Sequence, residues 1–207
     1  CRISTDNALK ETPRHADVIF PGLSPLEQPH YDELLWAWAV RSAGKWSPPL
    51  FEPEDGRPGE WEVMIRVGAM MGGIPQEHVD IKAIDDGYFS AFAEMGGADP
   101  AVALAACPEP GPERLNENAI RTGPWGDQYG ANPDGLTLEH FKNEPNGIDM
   151  GPMVPRLGEI VAHEDGMVDL APPYVIADIP RLAARLDRDP DGLLLVSRRH
   201  VRSNNSW

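Results

Sequence analysis

The apolar and polar positions of this chain fall into short runs separated by turn-forming residues. Residues 1–5 read as the end of a strand, and residues 6–15 are polar and turn-like, with room for one helical turn. Residues 16–21 (ADVIFP) are a brief apolar run closed by Pro21-Gly22, the pattern of a buried strand. Two such strands about ten residues apart suit an α/β sheet. Leu34, Leu35, Trp36, Trp38 and Val40 make residues 31–42 apolar and aromatic, and the length predicts a buried helix. Residues 47–59, rich in Pro, Gly and acid, predict an exposed loop.

Helical spacing dominates the middle of the chain. Trp61, Met64, Ile65, Gly68 and Met71 recur on one face, and Gly72-Gly73 stops the run. Residues 77–95 and 100–107 predict further helices, and the Met and Trp stripe reads as core. Residues 111–151 are less regular: Asn132-Pro133-Asp134-Gly135 signals a turn, 136–142 a short helix and 149–155 a loop. Weak alternation over 167–170 suggests a strand, and 177–186 a helix with Pro180 near its start. A second Asp-Pro-Asp-Gly turn at 189–192 launches an apolar run, 193–196, typical of a central strand. Residues 198–207 then turn basic and amide-rich, and the chain holds no internal repeat or low-complexity tract.

Composition narrows the classes. With 207 residues and 41% hydrophobic content, a packed core is feasible. The net charge of -15 repels phosphate backbones and disfavours nucleic acid as a partner. No apolar run approaches the roughly 20 residues of a membrane span. The two cysteines, Cys1 and Cys107, form neither a CxxC pair nor a disulfide framework. The chain begins at Cys1 and ends at Trp207 soon after an apolar run, so a piece of a longer polypeptide is expected. A cytoplasmic setting is the default, and a leader preceding Cys1 would make it periplasmic.

The common catalytic signatures are missing: GxSxG, HExxH, a P-loop and GxGxxG do not occur. The six histidines are scattered, and His163-Glu164-Asp165 reads as a solvated turn. Glu52 and Glu54 lie in a loop with nothing to raise a pKa. Two segments stand above this background. Thr5-Asp6 follows a strand, where open α/β sheets bind nucleotides; a carboxylate there can accept two hydrogen bonds from a guanine edge. The bland alternative is an Asx-turn. The second segment, residues 197–207 (SRRHVRSNNSW), offers guanidinium forks for pyrophosphate and amides for a pterin edge. Its bland alternative is a basic surface loop.

At these residues a family resemblance enters. Thr5-Asp6, Glu11-Thr12 and the ADVIFP run resemble the "D…ET…ADVVLP" stretch of molybdopterin oxidoreductases, the dimethyl sulfoxide reductase superfamily. Residues 193–207 resemble the start of that family's C-terminal dinucleotide-binding domain. Residues 135–152, with Pro155-Arg156-Leu157 and 168–173, are similar to formate-dehydrogenase-like members, so the likeness runs along most of the chain.

The resemblance implies an α/β fold. Residues 1–187 would be part of a nucleotide-binding α/β layer with an inserted helical region, and 188–207 would begin a C-terminal β-barrel domain. It implies bis-molybdopterin guanine dinucleotide carrying molybdenum or tungsten, and it admits an iron–sulfur cluster upstream. It also implies a small-molecule substrate, admits an electron-transfer partner protein, and gives no membrane span.

Carried over by position, Thr5 and Asp6 match the guanine grip, and Gln28 matches a place often held by Lys. Arg198, Arg199, Asn204, Asn205, Ser206 and Trp207 match the stretch that wraps the pterin and its phosphates, with Arg199, Asn204 and Ser206 ranked highest. The family's metal-binding Cys, selenocysteine or Ser lies upstream of these motifs, and Cys1 is not in that motif. Neither a metal ligand nor a catalytic residue is therefore expected in this chain, which alone should be inactive. Two alternatives stay open: an N-oxide or S-oxide reductase of the same superfamily, and a non-catalytic nucleotide-binding or scaffold domain.

Overall fold

The computed structural model describes residues 2–6, 11–32, 35, 38–54, 56–188, 192, 193 and 195–197. They divide into two units, Cys1–Met153 and Val154–Trp207.

The first unit opens with strand β1 (Ile3–Thr5), which pairs in parallel with β2 (Val18–Phe20), Ile3 opposite Val18 and Thr5 opposite Phe20. The connection contains one 3-10 turn, Pro13–His15, anchored by the buried Pro13. Two strands and a helical turn are what the sequence predicts here. The burial that the sequence also predicts for residues 16–21 is not found: Val18 and Phe20 are each 41% exposed, and Ile3 beside them is 60% exposed. An unbroken apolar run encodes a strand covered on both faces, and these three side chains lack that cover among the described residues.

Next come β3 (His30–Tyr31), β4 (Arg41–Gly44) and β5 (Trp46–Ser47), with β3 antiparallel to β5. Of the buried helix expected over residues 31–42, Leu35 is helical, but Tyr31, Arg41 and Ser42 are strand residues and Leu35, Trp38 and Val40 are exposed; residues 33, 34, 36 and 37 lie outside the described residues. Residues 48–54 and 56–59 are irregular, as expected of a loop.

Four helices follow. In α1 (Glu60–Met71) the Glu62 carboxylate accepts the Gly59 N–H at 3.3 Å, and the helix ends at Gly72-Gly73, with Gly73 left-handed at φ +90°. The expected core stripe is wrong for this helix. No α1 residue is buried, and Met64 and Met71 are 68% and 85% exposed. Trp61 and Ile65 are half-buried, so the stripe exists but is only partly covered. Helix α2 (Ile81–Met95) is capped by Asp80, whose carboxylate accepts the Ala83 N–H. Asp85, Phe89 and Ala93, four residues apart, are its buried face. Helix α3 (Pro100–Ala106) starts on Asp99 with Pro100 in its first turn. Helix α4 (Pro112–Thr122) lies where regular structure was not expected, and its buried residues are Arg114 and Asn118.

Beyond α4 the Asn132–Gly135 turn forms as the sequence predicts, with the Gly135 N–H donating to the Asn132 carbonyl at 3.0 Å. Leu136 then donates to the Trp125 carbonyl at 2.7 Å, and Asp127 to that of Leu136 at 3.2 Å. The backbones approach so closely that a Cβ at Gly126 or Gly135 would strike main-chain atoms. Helix α5 (Leu138–Asn143) buries Leu138 and Phe141. Strand β6 (Ile148–Pro152) takes up the first part of the loop expected at 149–155, of which 153–155 remain irregular, and pairs antiparallel with β4 across an irregularity between Arg41 and Ala43. The core of the unit is Phe89, Ala93, Ala103 and Cys107, with Leu104, Leu115 and Tyr129 packed against it.

The second unit holds α6 (Leu157–Ile160), α7 (Pro173–Ile176) and α8 (Ile179–Leu186). Helix α8 carries Pro180 in its first turn, as expected. The strand expected at 167–170 is absent, and Met167, Val168 and Leu170 are exposed. Leu193, Leu195 and Val196 are not in a strand either and are 105%, 100% and 77% exposed, so the central strand expected there does not form in the described part. Among the described residues, neither segment has a pairing partner to satisfy a strand's backbone groups. The described residues thus form a mixed α/β structure of helices and small two-stranded sheets, with no closed barrel. Among them, no helix is long and apolar enough to cross a membrane.

Candidate functional site

Thr5 ends β1, and Asp6 is the first residue beyond it. The Asp6 N–H still donates to the Phe20 carbonyl at 3.2 Å, which holds the start of the turn against the end of β2. At the opposite end, Asp17 clamps the entry: its carboxylate accepts the Arg2 N–H at 2.8 Å, and its own N–H donates to the Arg2 carbonyl at 2.8 Å. Because the strands are parallel, Asp6 and the loop after Phe20 leave from one edge, the carboxyl end. Thr5 is exposed and Asp6 half-buried there.

Gln28 lies in that loop. Its Nε2 donates to the Leu23 carbonyl at 3.2 Å, so the amide closes a local turn. Beside it Glu27 accepts the Ser24 N–H at 2.7 Å and pairs with Arg57 at 3.1 Å; Arg57 also donates to the Gly22 carbonyl. The loop is therefore fixed by buried and half-buried polar contacts. Arg198, Arg199, Asn204, Asn205, Ser206 and Trp207 lie outside the described residues.

A second constellation escaped the sequence reading. Around α4, Arg114 pairs with Asp85 and, at 2.7 Å, with Asp86, and its guanidinium lies 4.7 Å from the Phe89 ring centre. Asp85 also accepts the Gly111 N–H at 3.0 Å. Two turns on, Arg121 grips Asp127 with bonds of 2.8 and 2.6 Å and stacks 4.6 Å above Tyr129. The Tyr129 hydroxyl donates to Asn118 Oδ1 at 2.7 Å, and Glu117 accepts the Leu138 N–H at 2.6 Å. The only sequence signal was Arg114, Glu117 and Arg121 recurring at helical spacing, opposite the acidic pair Asp85-Asp86.

The electrostatics of this network are those of a structural core. The hydrogen bond from Arg121 holds the Asp127 carboxyl below the usual carboxylate range. Hydrogen bonds from Lys82 and then Arg114 do the same for Asp86. Burial pushes the Tyr129 phenol up to about 12, and it also raises the Cys107 thiol. A thiol kept protonated is a poor nucleophile, and each carboxylate here already faces a cation or an N–H. Among the described residues no group of three or more His, Cys, Asp or Glu is placed to hold a metal ion. His163 accepts the Gly166 N–H through its carbonyl in an exposed turn, as its sequence suggested. The chain matches no protein-family model, no curated protein and no solved structure.

Proposed function

We propose that this chain is part of a molybdenum bis-(molybdopterin guanine dinucleotide) oxidoreductase, formate-dehydrogenase-like, to which it contributes cofactor-binding segments. One observation carries the reading: Thr5-Asp6 lies at the carboxyl end of a strand in a parallel pair, the edge at which open α/β sheets receive nucleotides. The residues present fit the group at that edge. The Asp6 carboxylate has the chemistry to accept the N1–H and exocyclic amine of guanine together. The exposed Thr5 hydroxyl can bond a neighbouring polar atom. Gln28 serves by shaping the loop at the same edge, with its amide given to Leu23. The phosphate and pterin contacts assigned to Arg198, Arg199, Asn204, Asn205, Ser206 and Trp207 rest on the sequence resemblance. When bound, the cofactor's metal supplies the redox step, and this chain's share is to bind and orient. The same reading assigns a small-molecule substrate, an electron-transfer partner protein and a cytoplasmic setting.

The test is the Asp6→Ala variant of the full-length protein, with molybdenum and tungsten content read by plasma mass spectrometry. A hydrogen bond to a charged group is worth about 1.5–3 kcal/mol, so cofactor loading should fall steeply while the circular-dichroism spectrum is kept. Unchanged loading would remove the guanine role from Asp6 and leave the reading without its support.

A further inference from the structure

The first unit contains a cavity of about 420 Å³ that none of Thr5, Asp6 or Gln28 borders. Tyr31, Trp125 and Phe141 give it aromatic walls, and Ile120, Leu136 and Met150 close much of the remainder. Its volume is that of a small-molecule site, about 300–1,000 Å³. The walls are well founded. Phe141 is 2% exposed, and its ring meets that of Tyr31 edge-on with centres 5.4 Å apart. A Cβ at Gly44 would collide with the Phe141 ring and the Tyr31 hydroxyl, so a glycine leaves room for both side chains.

Two charged side chains line this space, Arg41 and Asp32. Arg41 is already neutralised. Its Nε and Nη2 bond the Asp149 carboxylate at 3.0 and 2.8 Å across the β4–β6 pair. That bond raises the Arg41 pKa and lowers that of Asp149. Asp32 differs. One of its oxygens accepts the Leu35 N–H at 2.7 Å, and the other lies 3.9 Å from His30 Nε2. Asp32 also borders a neighbouring cavity that Lys45 lines. Among the described residues, Asp32 thus has no Lys or Arg in ion-pair contact, its one charged neighbour being His30 when protonated, and three aromatic side chains line the same space. A carboxylate and aromatic faces around an apolar volume select an organic cation. The net charge of -15 enriches cations around the chain at long range.

We propose that this cavity is a binding site for an organic ammonium ion, with its charge toward Asp32 and its apolar body against Trp125, Phe141 and Met150. The site is independent of the cofactor edge and stands or falls without it.

Equilibrium dialysis of the intact protein against benzyltrimethylammonium and against phenylacetate, which share an aromatic body and differ in charge, tests this. The ammonium ion should bind one equivalent, and phenylacetate should bind at least about tenfold more weakly. Asp32→Asn, which keeps an acceptor for the Leu35 N–H, should weaken the ammonium ion about tenfold and leave phenylacetate no weaker. Ala119→Leu, which fills the cavity from α4, should abolish binding with the melting temperature retained. Equal binding of the two probes, no binding of the ammonium ion, or full-strength binding by Asp32→Asn would each overturn the proposal. If Asp32→Asn fails to fold, the ratio between the two probes on the unaltered protein still decides.

Discussion

Arg114 sits with 2% of its side chain exposed, between Asp85 and Asp86 and over the ring of Phe89. Among the described residues its buried Nε has no hydrogen-bond partner, so its worth lies in the two carboxylates and the ring. Removing a buried cation leaves its partner charge uncompensated, which costs more than the pair itself contributes. Arg114→Met should keep most of the volume yet lower stability by about 3–5 kcal/mol in urea unfolding. Adding Asp85→Asn should recover part of that loss, because the stranded charge is gone. A loss below about 1 kcal/mol, the size of a surface pair, would mean that water reaches the site. Arg121 and Asp127 give a pH dependence. Asp127 is held below its ordinary value by the hydrogen bond from Arg121. A carboxyl lowered in the folded state adds stability that is complete above its unfolded pKa of about 3.9, and that stability drains as pH falls through the lower folded value. Stability measured from pH 7 downward should therefore stay level in this respect until about pH 4 and then decline. Asp127→Asn should show a lower plateau and a shallower acid slope. An unchanged slope in that variant would assign the acid sensitivity to other carboxylates.

Helix ends are set by local chemistry, of which the sequence reading used only the Gly72-Gly73 stop and Pro180. Asp99 accepts the Ala101 and Val102 N–H groups at 2.8 and 3.4 Å, and Pro100 occupies the first turn of α3, where its missing N–H costs nothing. Asp99→Ala should cost about 1 kcal/mol in chemical denaturation, and Asp99→Asn, which keeps the acceptor, only a few tenths. Equal losses for the two would show that charge matters there more than the cap. The helices with apolar faces, α1 to α3, lay within a few residues of where periodicity put them. Helix α4 was invisible because the residues it buries, Arg114 and Asn118, are polar; their burial is stabilised by partners on α2 and near Tyr129 that no local window contains. Strands β4 and β6 were missed for the same reason. The sequence Arg41-Ser-Ala-Gly44 has little intrinsic strand preference, and its partner lies about a hundred residues away, joined by the Arg41–Asp149 pair. Leu35, Trp38 and Val40 misled in the other direction, since an apolar run carries no information on whether its cover is present.

For the molecule as a whole, the readable part of the candidate site was its front edge. A strand end, an acidic residue and a second apolar run are local features, and β1 and β2 pair in parallel. How that edge relates to residues 198–207 depends on long-range placement, which neither period nor composition encodes. The cavity beside Asp32 had no sequence signal either, because its walls come from five separate stretches of the chain. The division of the chain into Cys1–Met153 and Val154–Trp207 was equally unwritten, yet it has a mechanical consequence. Between Val154 and Arg188 every residue except Val161 and Pro172 is exposed, including Ile179, Leu182 and Leu186 of α8 at 52%, 58% and 80%. Segments with so few buried contacts open at little cost, and a protease acts on the opened form. Arg156 has 59% of its side chain exposed and pairs locally with Glu159, whereas Arg114 and Arg121 are locked into the α4 network. Brief trypsin treatment of the intact protein should therefore cut after Arg156, Arg181 and Arg185 well before Arg114 or Arg121. Mass spectrometry of the early products should find the α2–α5 region in one piece. Cleavage after Arg114 or Arg121 as fast as after Arg156 would mean that the buried ion pairs do not hold the first unit together.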